Sequence, residues 1–329
     1  MKKWSVVIIG RDESKHLRNC ILSVKRALER VGGGEIIYVD SSSKDDSVKI
    51  ALSEGITVIE TNFPRPNASI SRNVGAKYAR GEYIHFIDAD IYMDESYLVA
   101  AERVLEKRKD VSLVCGQLVE AKLNRMTSYF ATWTEEKVGY LDYPIGGGGS
   151  FRLKDFLDIG GYNINLVRGQ ETELGYRMRQ RGYKIYGIRD LMGVHHLEAN
   201  DFFGFIDRVK RMALAYSYVL FDKDYSHNKL FFNQAKRNLI QAIFLIILFV
   251  ILVLFQSYVF PLYSIFLIII VLILLIFVLL KKRKTLFYIE KLLLIFFQFL
   301  YLFKFKLHSY PRNSDDINLS KFIKFYEPS

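Results

Sequence analysis

Residues 81 to 94, GEYIHFIDADIYMD, set the apolar run Tyr83 to Ile87 directly against the carboxylates Asp88, Asp90 and Asp94. Only Ala89 separates Asp88 from Asp90, and its small side chain permits a tight turn. Two carboxylates so placed can approach one hard cation, and oxygen ligands suit Mg²⁺ or Mn²⁺. An ion held there could bridge a diphosphate. An isolated Asp-X-Asp is more often a solvated acidic turn, so its position behind a buried run decides its weight. Glu171 opens the helical pattern Thr172 to Gln180, closed by Gly182. Negative charge is favourable at a helix N-terminus, which fits a poised carboxylate and ordinary capping chemistry alike.

The elements that must position these groups follow from periodicity. Trp4 to Ile9 is a short β-rich run, followed by a helical face of Leu17, Cys20, Ile21, Val24 and Leu28. Ile36 to Val39 repeats the strand signal. Ser47 to Glu54 predicts a short helix closed by Gly55, Ile56 to Glu60 a third strand, and Ser69 to Arg80 a helix ended by Gly81. Tyr83 to Ile87 is the fourth strand. The alternation predicts an α/β, Rossmann-like fold, a mostly parallel sheet with helices on both faces. Ligands of open α/β sheets sit beyond the carboxyl ends of strands, where Asp40, Asp88 and Asp90 fall. A strand from Tyr183 extends toward His195 and His196; successive strand residues point oppositely, so one of the two faces the site.

Composition divides the chain. Half of its 329 residues are apolar and a quarter charged, enough for an ordinary core, yet 239 to 303 hold a single acidic residue, Glu290. Runs 239–260 and 262–280 are each long enough, at about 1.5 Å per residue, to cross a hydrocarbon core of roughly 30 Å. A third run, 286–303, carries Glu290, Lys291 and Gln298 on one stripe and reads as an interfacial or third helix. Lys236, Arg237 and Lys281 to Lys284 flank the spans, which predicts an integral membrane protein, in the plasma membrane, with its catalytic domain in the cytoplasm. The expected organisation is a cytosolic domain over 1–230, a membrane region over 231–303 and a basic cytosolic tail over 304–329. The formal net charge of +11 concentrates near the apolar runs, implying membrane lipids as partners, and no nucleic-acid signature accompanies it. Met1 to Gly10 is too short in apolar residues for a signal peptide. Cys20 and Cys115 have no metal-ligand spacing and read as buried small hydrophobes.

Several motifs occur in one order: Asp40-Ser41-Ser42-Ser43, Arg72-Asn73-Val74-Gly75-Ala76, Asp88-Ala89-Asp90, Gly146 to Arg152, Gly160-Gly161-Tyr162, and Gln170-Glu171-Thr172-Glu173-Leu174. This series resembles the family 2 glycosyltransferases of the GT-A fold, over about residues 4 to 215. The resemblance implies that Asp40 and Ser42, with Asp12 and Glu13 after the first strand, bind the nucleotide of the donor. Asp88 would lie near the ribose or the metal, Asp90 would ligate Mg²⁺ or Mn²⁺, and His195, or in reserve His196, would contact the metal or diphosphate. Arg72 would hold the nucleotide, an ordinary helix salt bridge being equally open. Gly147, Gly148, Gly149 and Gln170 would shape the donor-sugar or acceptor pocket, although four successive glycines also suit a linker. Relatives carry Glu-Asp where this chain has Gln170-Glu171, so Glu171 aligns with their general base and is one methylene longer. Glu173 and Arg177, spaced i, i+4, read as a surface ion pair.

The Gln-X-X-Arg-Trp motif of processive synthases is absent, and Arg208-Val209-Lys210-Arg211 occupies the comparable region. The implied activity is an inverting, metal-dependent transfer of one sugar. The donor would be a nucleotide-diphosphate sugar, UDP before GDP, and the acceptor lipid-linked or glycan, in polysaccharide or glycoconjugate synthesis. A nucleotidyltransferase would be expected to carry a glycine-rich basic loop after the first strand, unlike Gly10-Arg11-Asp12-Glu13. A non-catalytic nucleotide-binding membrane subunit would keep the fold and lose a metal ligand or the base.

Overall fold

Strand β1 (Trp4–Gly10) shows why the first apolar run is continuous. Trp4, Val6 and Ile8 enter one core while Val7 and Ile9 enter a second on the other face, so both faces of the strand are covered. The computed structural model describes residues 3–121, 138–144, 148–196 and 322–328, with isolated positions between 209 and 240. On the first face lie α1 (Leu17–Glu29), α2 (Ser47–Ser53) and α4 (Tyr97–Lys107); on the second lie α3 (Ala68–Tyr78), α5 (Leu153–Asp158) and α6 (Gln170–Gln180). Cys20 and Cys115 are both buried, as expected of small hydrophobes.

Among the described residues one mixed sheet is formed, by β1, β2 (Glu35–Asp40), β3 (Thr57–Thr61), β4 (Tyr83–Asp88), β5 (Ile91–Met93), β6 (Val111–Glu120), β7 (Gly139–Leu141), β8 (Gly148–Arg152), β9 (Lys184–His195) and β10 (Ile323–Tyr326). Its order is β10-β3-β2-β1-β4-β8-β6-β9-β5, with β7 on β9. The expected parallel arrangement holds for β3, β2, β1 and β4 and for β6 with β9. It fails in between, because β8 runs antiparallel to both β4 and β6.

The reason lies in the glycine run. Gly148 and Gly149 do not form a linker; they pair with Ile87 and Phe86 in mid-sheet. At Gly148 (φ +155°) a Cβ would lie 2.3 Å from the Phe86 carbonyl oxygen, so only glycine admits the neighbouring strand there. The packing thus supplies the reason for glycine that the sequence assigned to a sugar pocket. Gly147 lies outside the described residues.

The segment expected as a basic tail also reaches the sheet. β10 adds antiparallel to β3, Phe322 stacks on Phe63, and Phe325 stacks on Tyr78, both with ring centroids 5.0 Å apart. Contacts divide the chain into Met1–Glu198 with Ser309–Ser329, and Ala199–His308. The apolar runs 239–260, 262–280 and 286–303 lie outside the described residues; among those described, no helix is long and apolar enough to cross a membrane.

The loops after β1 and β2 are fastened by Asp45, whose carboxylate accepts from the Ser14 amide at 2.8 Å and from the Ser47 amide at 3.0 Å. Partial burial raises its pKa, but hydrogen bonds from Ser47 and Ser14 outweigh that and hold it at about 2. A pKa depressed in the folded state contributes stability that is present above the unfolded value, near 3.9, and lost as pH falls through the folded one. Stability followed by urea unfolding therefore falls between about pH 4 and pH 2, and Asp45→Asn shows a shallower decline over that window.

Candidate active site

The carboxyl ends of β1, β2 and β4 stand side by side, since Gly10 pairs with Asp40 and Ile9 with Asp88. Beyond them opens a cavity of about 250 Å³ lined by Gly10, Glu13, Ser41, Asn67, Asp88 and Asp90, among others. The turn after β4 is tight: the Ala89 amide donates to the Ile9 carbonyl at 2.9 Å, and a Cβ on Gly10 would lie 2.9 Å from that of Ala89. Small residues on both strands therefore bring Asp88 and Asp90 to the mouth. Asp94 is not among them; its Oδ1 accepts from the Ser96 amide at the start of α4.

Asp90 Oδ2 lies 3.1 Å from His195 Nε2, and His195 Nδ1 lies 2.9 Å from Glu120 Oε1. Burial lowers the imidazole pKa, but hydrogen bonds to Asp90 and Glu120 outweigh it and push it up to about 10. His196 faces elsewhere, its ring stacked 3.9 Å from that of Tyr92, although its amide donates to the Asp90 carbonyl. Of the two histidines, His195 is the one beside the acidic turn.

Asp88 gives Oδ1 to the Arg72 guanidinium at 2.8 Å. Burial raises the Asp88 pKa, opposed by the Arg72 charge and reinforced by Asp90, and the net direction is upward. Among the described residues no hydrogen bond is made to Asp88 Oδ2 or Asp90 Oδ1, so each carboxylate keeps one oxygen for a ligand. No three His, Cys, Asp or Glu side chains among the described residues are gathered closely enough to enclose an ion. Asp88 Oδ2 and Asp90 Oδ1 are two oxygen donors, fewer than a hard cation takes, so water or a phosphate would have to complete the shell of an ion held there.

Arg72, paired with Asp88, is the hub of a second cluster of polar groups. It is 3% exposed, and its guanidinium meets Asp88, Gln170 Oε1 at 3.3 Å, Glu171 Oε1 at 3.9 Å and the Tyr162 ring at 5.2 Å. Burial lowers its pKa, but the charges of Asp88, Tyr162 and Glu171 raise it overall. Asn73 beside it holds Tyr162 at both backbone ends, donating to the carbonyl and accepting from the amide, each at 2.8 Å. The Arg72-Asn73 and Gly160-Gly161-Tyr162 motifs thus form one structure.

Glu171 sits in the first turn of α6 with its side chain 26% exposed, open enough to receive a proton. Gln170, expected in the pocket, is 4% exposed and instead anchors the helix, donating to the Leu166 carbonyl at 2.7 Å. Glu173 and Arg177 do pair, but Glu173 is 3% exposed and Arg177 also donates to the carbonyls of Ile159 and Gly161, so the pair is an internal tie.

The nucleotide-side residues are mostly turned to the scaffold. Asp40 is 1% exposed and accepts from Tyr38 Oη at 3.0 Å and the Ser43 amide at 2.8 Å. Both of its oxygens are thus engaged by neighbouring residues. Ser42 (φ 62°) donates its hydroxyl to the Thr61 carbonyl at 2.7 Å, and Asp12 (φ 57°) accepts from the Lys44 amide at 2.6 Å. Glu13 does line the cavity, as do Ser41 and Asn67, which the sequence did not single out. Position beyond the strand ends was the available signal for Ser41; nothing marked Glu120.

The site thus combines a mixed sheet, an acidic turn after β4 and the carboxylate of Glu171 in the first turn of α6. Residues 5–150 match the Glycosyl transferase family 2 profile. The chain is 29% identical over 121 residues to the poly(ribitol-phosphate) β-N-acetylglucosaminyltransferase TarS of Staphylococcus aureus, covering 35% of this chain and 21% of that protein. A structure of TarS residues 1–349 with UDP-GlcNAc shares the fold at TM-score 0.52 and 15% identity, over 70% of each chain. The succinoglycan biosynthesis protein ExoA of Rhizobium meliloti is 24% identical over 196 residues, 55% of this chain and 59% of that one. The mannosyltransferase PcManGT of Pyrobaculum calidifontis, solved with GDP-Man and Mn²⁺, superposes at TM-score 0.65 and 15% identity, over 93% of this chain and 88% of that one. The chain thus matches about a fifth to three fifths of the length of these two curated relatives.

Breaking a buried ion pair from one side strands the partner charge and costs about 3–5 kcal/mol when both groups are fully buried. Asp88 keeps a side-chain exposure of 35%, so solvent takes up part of the loss. Arg72→Met is expected to lower unfolding free energy by about 2 kcal/mol in urea titrations, and Arg72→Met/Asp88→Asn to recover most of it.

Proposed function

We propose that this protein is an inverting, metal-dependent glycosyltransferase that moves one sugar from a nucleotide-diphosphate sugar to a lipid-linked or glycan acceptor. The observation that carries the proposal is Arg72, 2.8 Å from Asp88 and 3.9 Å from Glu171, which joins the diphosphate side of the cavity to the carboxylate suited to act as base. Asp90 and Asp88, with His195 beside them, would hold Mg²⁺ or Mn²⁺. An ion held there would supply positive charge to offset the charge developing on the departing nucleoside diphosphate.

The protein's own residues supply the rest. Glu171 takes the proton of the acceptor hydroxyl as that oxygen attacks the anomeric carbon from the face opposite the diphosphate. Arg72 holds a positive charge 3.9 Å from the Glu171 carboxylate. The wall made by Gly10, Ser41 and Asn67 receives the nucleotide; UDP is the favoured donor nucleotide and GDP the next. UDP-GlcNAc in the TarS complex and GDP-Man with Mn²⁺ in PcManGT support that donor class. The apolar runs 239–260 and 262–280, flanked by lysine and arginine, support membrane attachment with the family 2 domain on the cytoplasmic side, beside a lipid-linked acceptor. The role belongs to polysaccharide or glycoconjugate synthesis.

Calorimetric titration with UDP, GDP and dTDP, each with and without Mn²⁺, tests the proposal. One nucleotide is expected to bind with Mn²⁺ and to lose that dependence in Asp90→Ala. Glu171→Gln should bind it normally while transfer falls about 10²–10⁴-fold. Absence of binding to all three would favour a non-catalytic membrane subunit.

A further inference from the structure

His195 meets Asp90 through one ring nitrogen, and the other nitrogen is held by a group outside every motif in the sequence. Glu120 and His195 are register partners at the carboxyl ends of the parallel strands β6 and β9. The Glu120 side chain is 12% exposed, its Oε1 is 2.9 Å from His195 Nδ1, and its Oε2 is buried with no hydrogen-bond partner among the described residues. A buried carboxylate oxygen without a partner is costly, so a strand end with no other demand on it would favour an apolar residue. The strands themselves do not need this contact, since their ladder runs through the same positions and the Ala121 amide donates to the His195 carbonyl at 2.9 Å.

We propose that Glu120 is a positioning residue for the metal site: by accepting the Nδ1 proton of His195, it leaves Nε2 as the nitrogen that turns toward Asp90 and a divalent cation. With both nitrogens against carboxylates each carries a proton; a cation taking the Nε2 electron pair displaces the proton there, and Glu120 keeps the remaining one on Nδ1. A carboxylate behind a ligating histidine fixes both ring orientation and tautomer, and losing it typically weakens metal affinity about 10–100-fold. The geometry needs two strands in this register: a shift of one residue in β6 would carry Glu120 to the other face of the sheet.

The inference rests on the reading of Asp90 and His195 as holding the cation, and the experiment separates the two. Mn²⁺ binding is followed by electron paramagnetic resonance of the free ion, in the presence of UDP or GDP, for the unaltered protein, Glu120→Ala, Glu120→Gln, His195→Ala and Glu120→Ala/His195→Ala. Thermal unfolding of each establishes that it is folded. Glu120→Ala should weaken Mn²⁺ about tenfold or more. Glu120→Gln, which keeps an acceptor oxygen, should recover part of that loss, and the double variant should bind no more weakly than His195→Ala alone. Affinity in Glu120→Ala within twofold of the unaltered protein, or losses that simply add in the double variant, would overturn the positioning role while leaving the metal site standing. If the unaltered protein binds no Mn²⁺ with either nucleotide, the metal reading itself falls and the positioning role falls with it.

Discussion

A single buried cation organises the site. Arg72 lies among carboxylate, amide and aromatic groups contributed by β4, by α6 and by the loop between α5 and α6. Its guanidinium is planar and always charged, so it can serve several acceptors at fixed angles where an ammonium would serve one at a time. Neither Asp88 nor Glu171 could sit so near the protein interior without a positive charge close by, and Arg72 could not be buried without them. The start of α6 is therefore tied electrostatically to the end of β4 through Arg72.

Steric economy at the strand ends complements that charge. Ala89 and Gly10 are small where two strand ends turn past each other, and Gly148 is small where a strand must cross an adjacent carbonyl. Each absent side chain is occupied by a neighbour's backbone or methyl group. The acidic turn projects because the residues around it are too small to cover it, and the close-packed sheet beneath prevents it from sinking back.

Much of this was legible in the sequence, for identifiable reasons. Strands β1 to β4 and helices α1 and α3 could be read because a doubly covered strand is continuously apolar and an amphipathic helix is periodic, and both signals are local. The acidic turn was legible through its place after a buried run. What escaped reading depends on partners distant in the chain. The glycines of β8 read as the wall of a sugar or acceptor pocket, with a linker as the alternative, and what their sequence does not reveal is that Phe86 and Leu113 press on them across the strand interfaces. Asp40 reads as an available acceptor, yet Tyr38 and Ser43, two and three residues away, consume it, a competition that composition does not rank. Glu173 and Arg177 have the spacing of a helix pair, but spacing says nothing about burial. Glu120 has no motif at all; only the pairing of β6 with β9 brings it to His195.

The pairing of β10 with β3 bears on how the chain is made. Thr61 finds its partner only when Ile323 has been synthesised, long after β1 to β4 have emerged and can pair. During that interval the outer edge of β3 presents unpaired amides and carbonyls, the feature through which nascent sheets recruit foreign strands. Domain closure is therefore a late event in translation, separated from the founding of the sheet by the entire apolar part of the sequence. A ribosome stalled within that part would carry a domain with its acidic turn formed and its outermost strand still waiting for a neighbour, a natural client for a chaperone that binds extended chain.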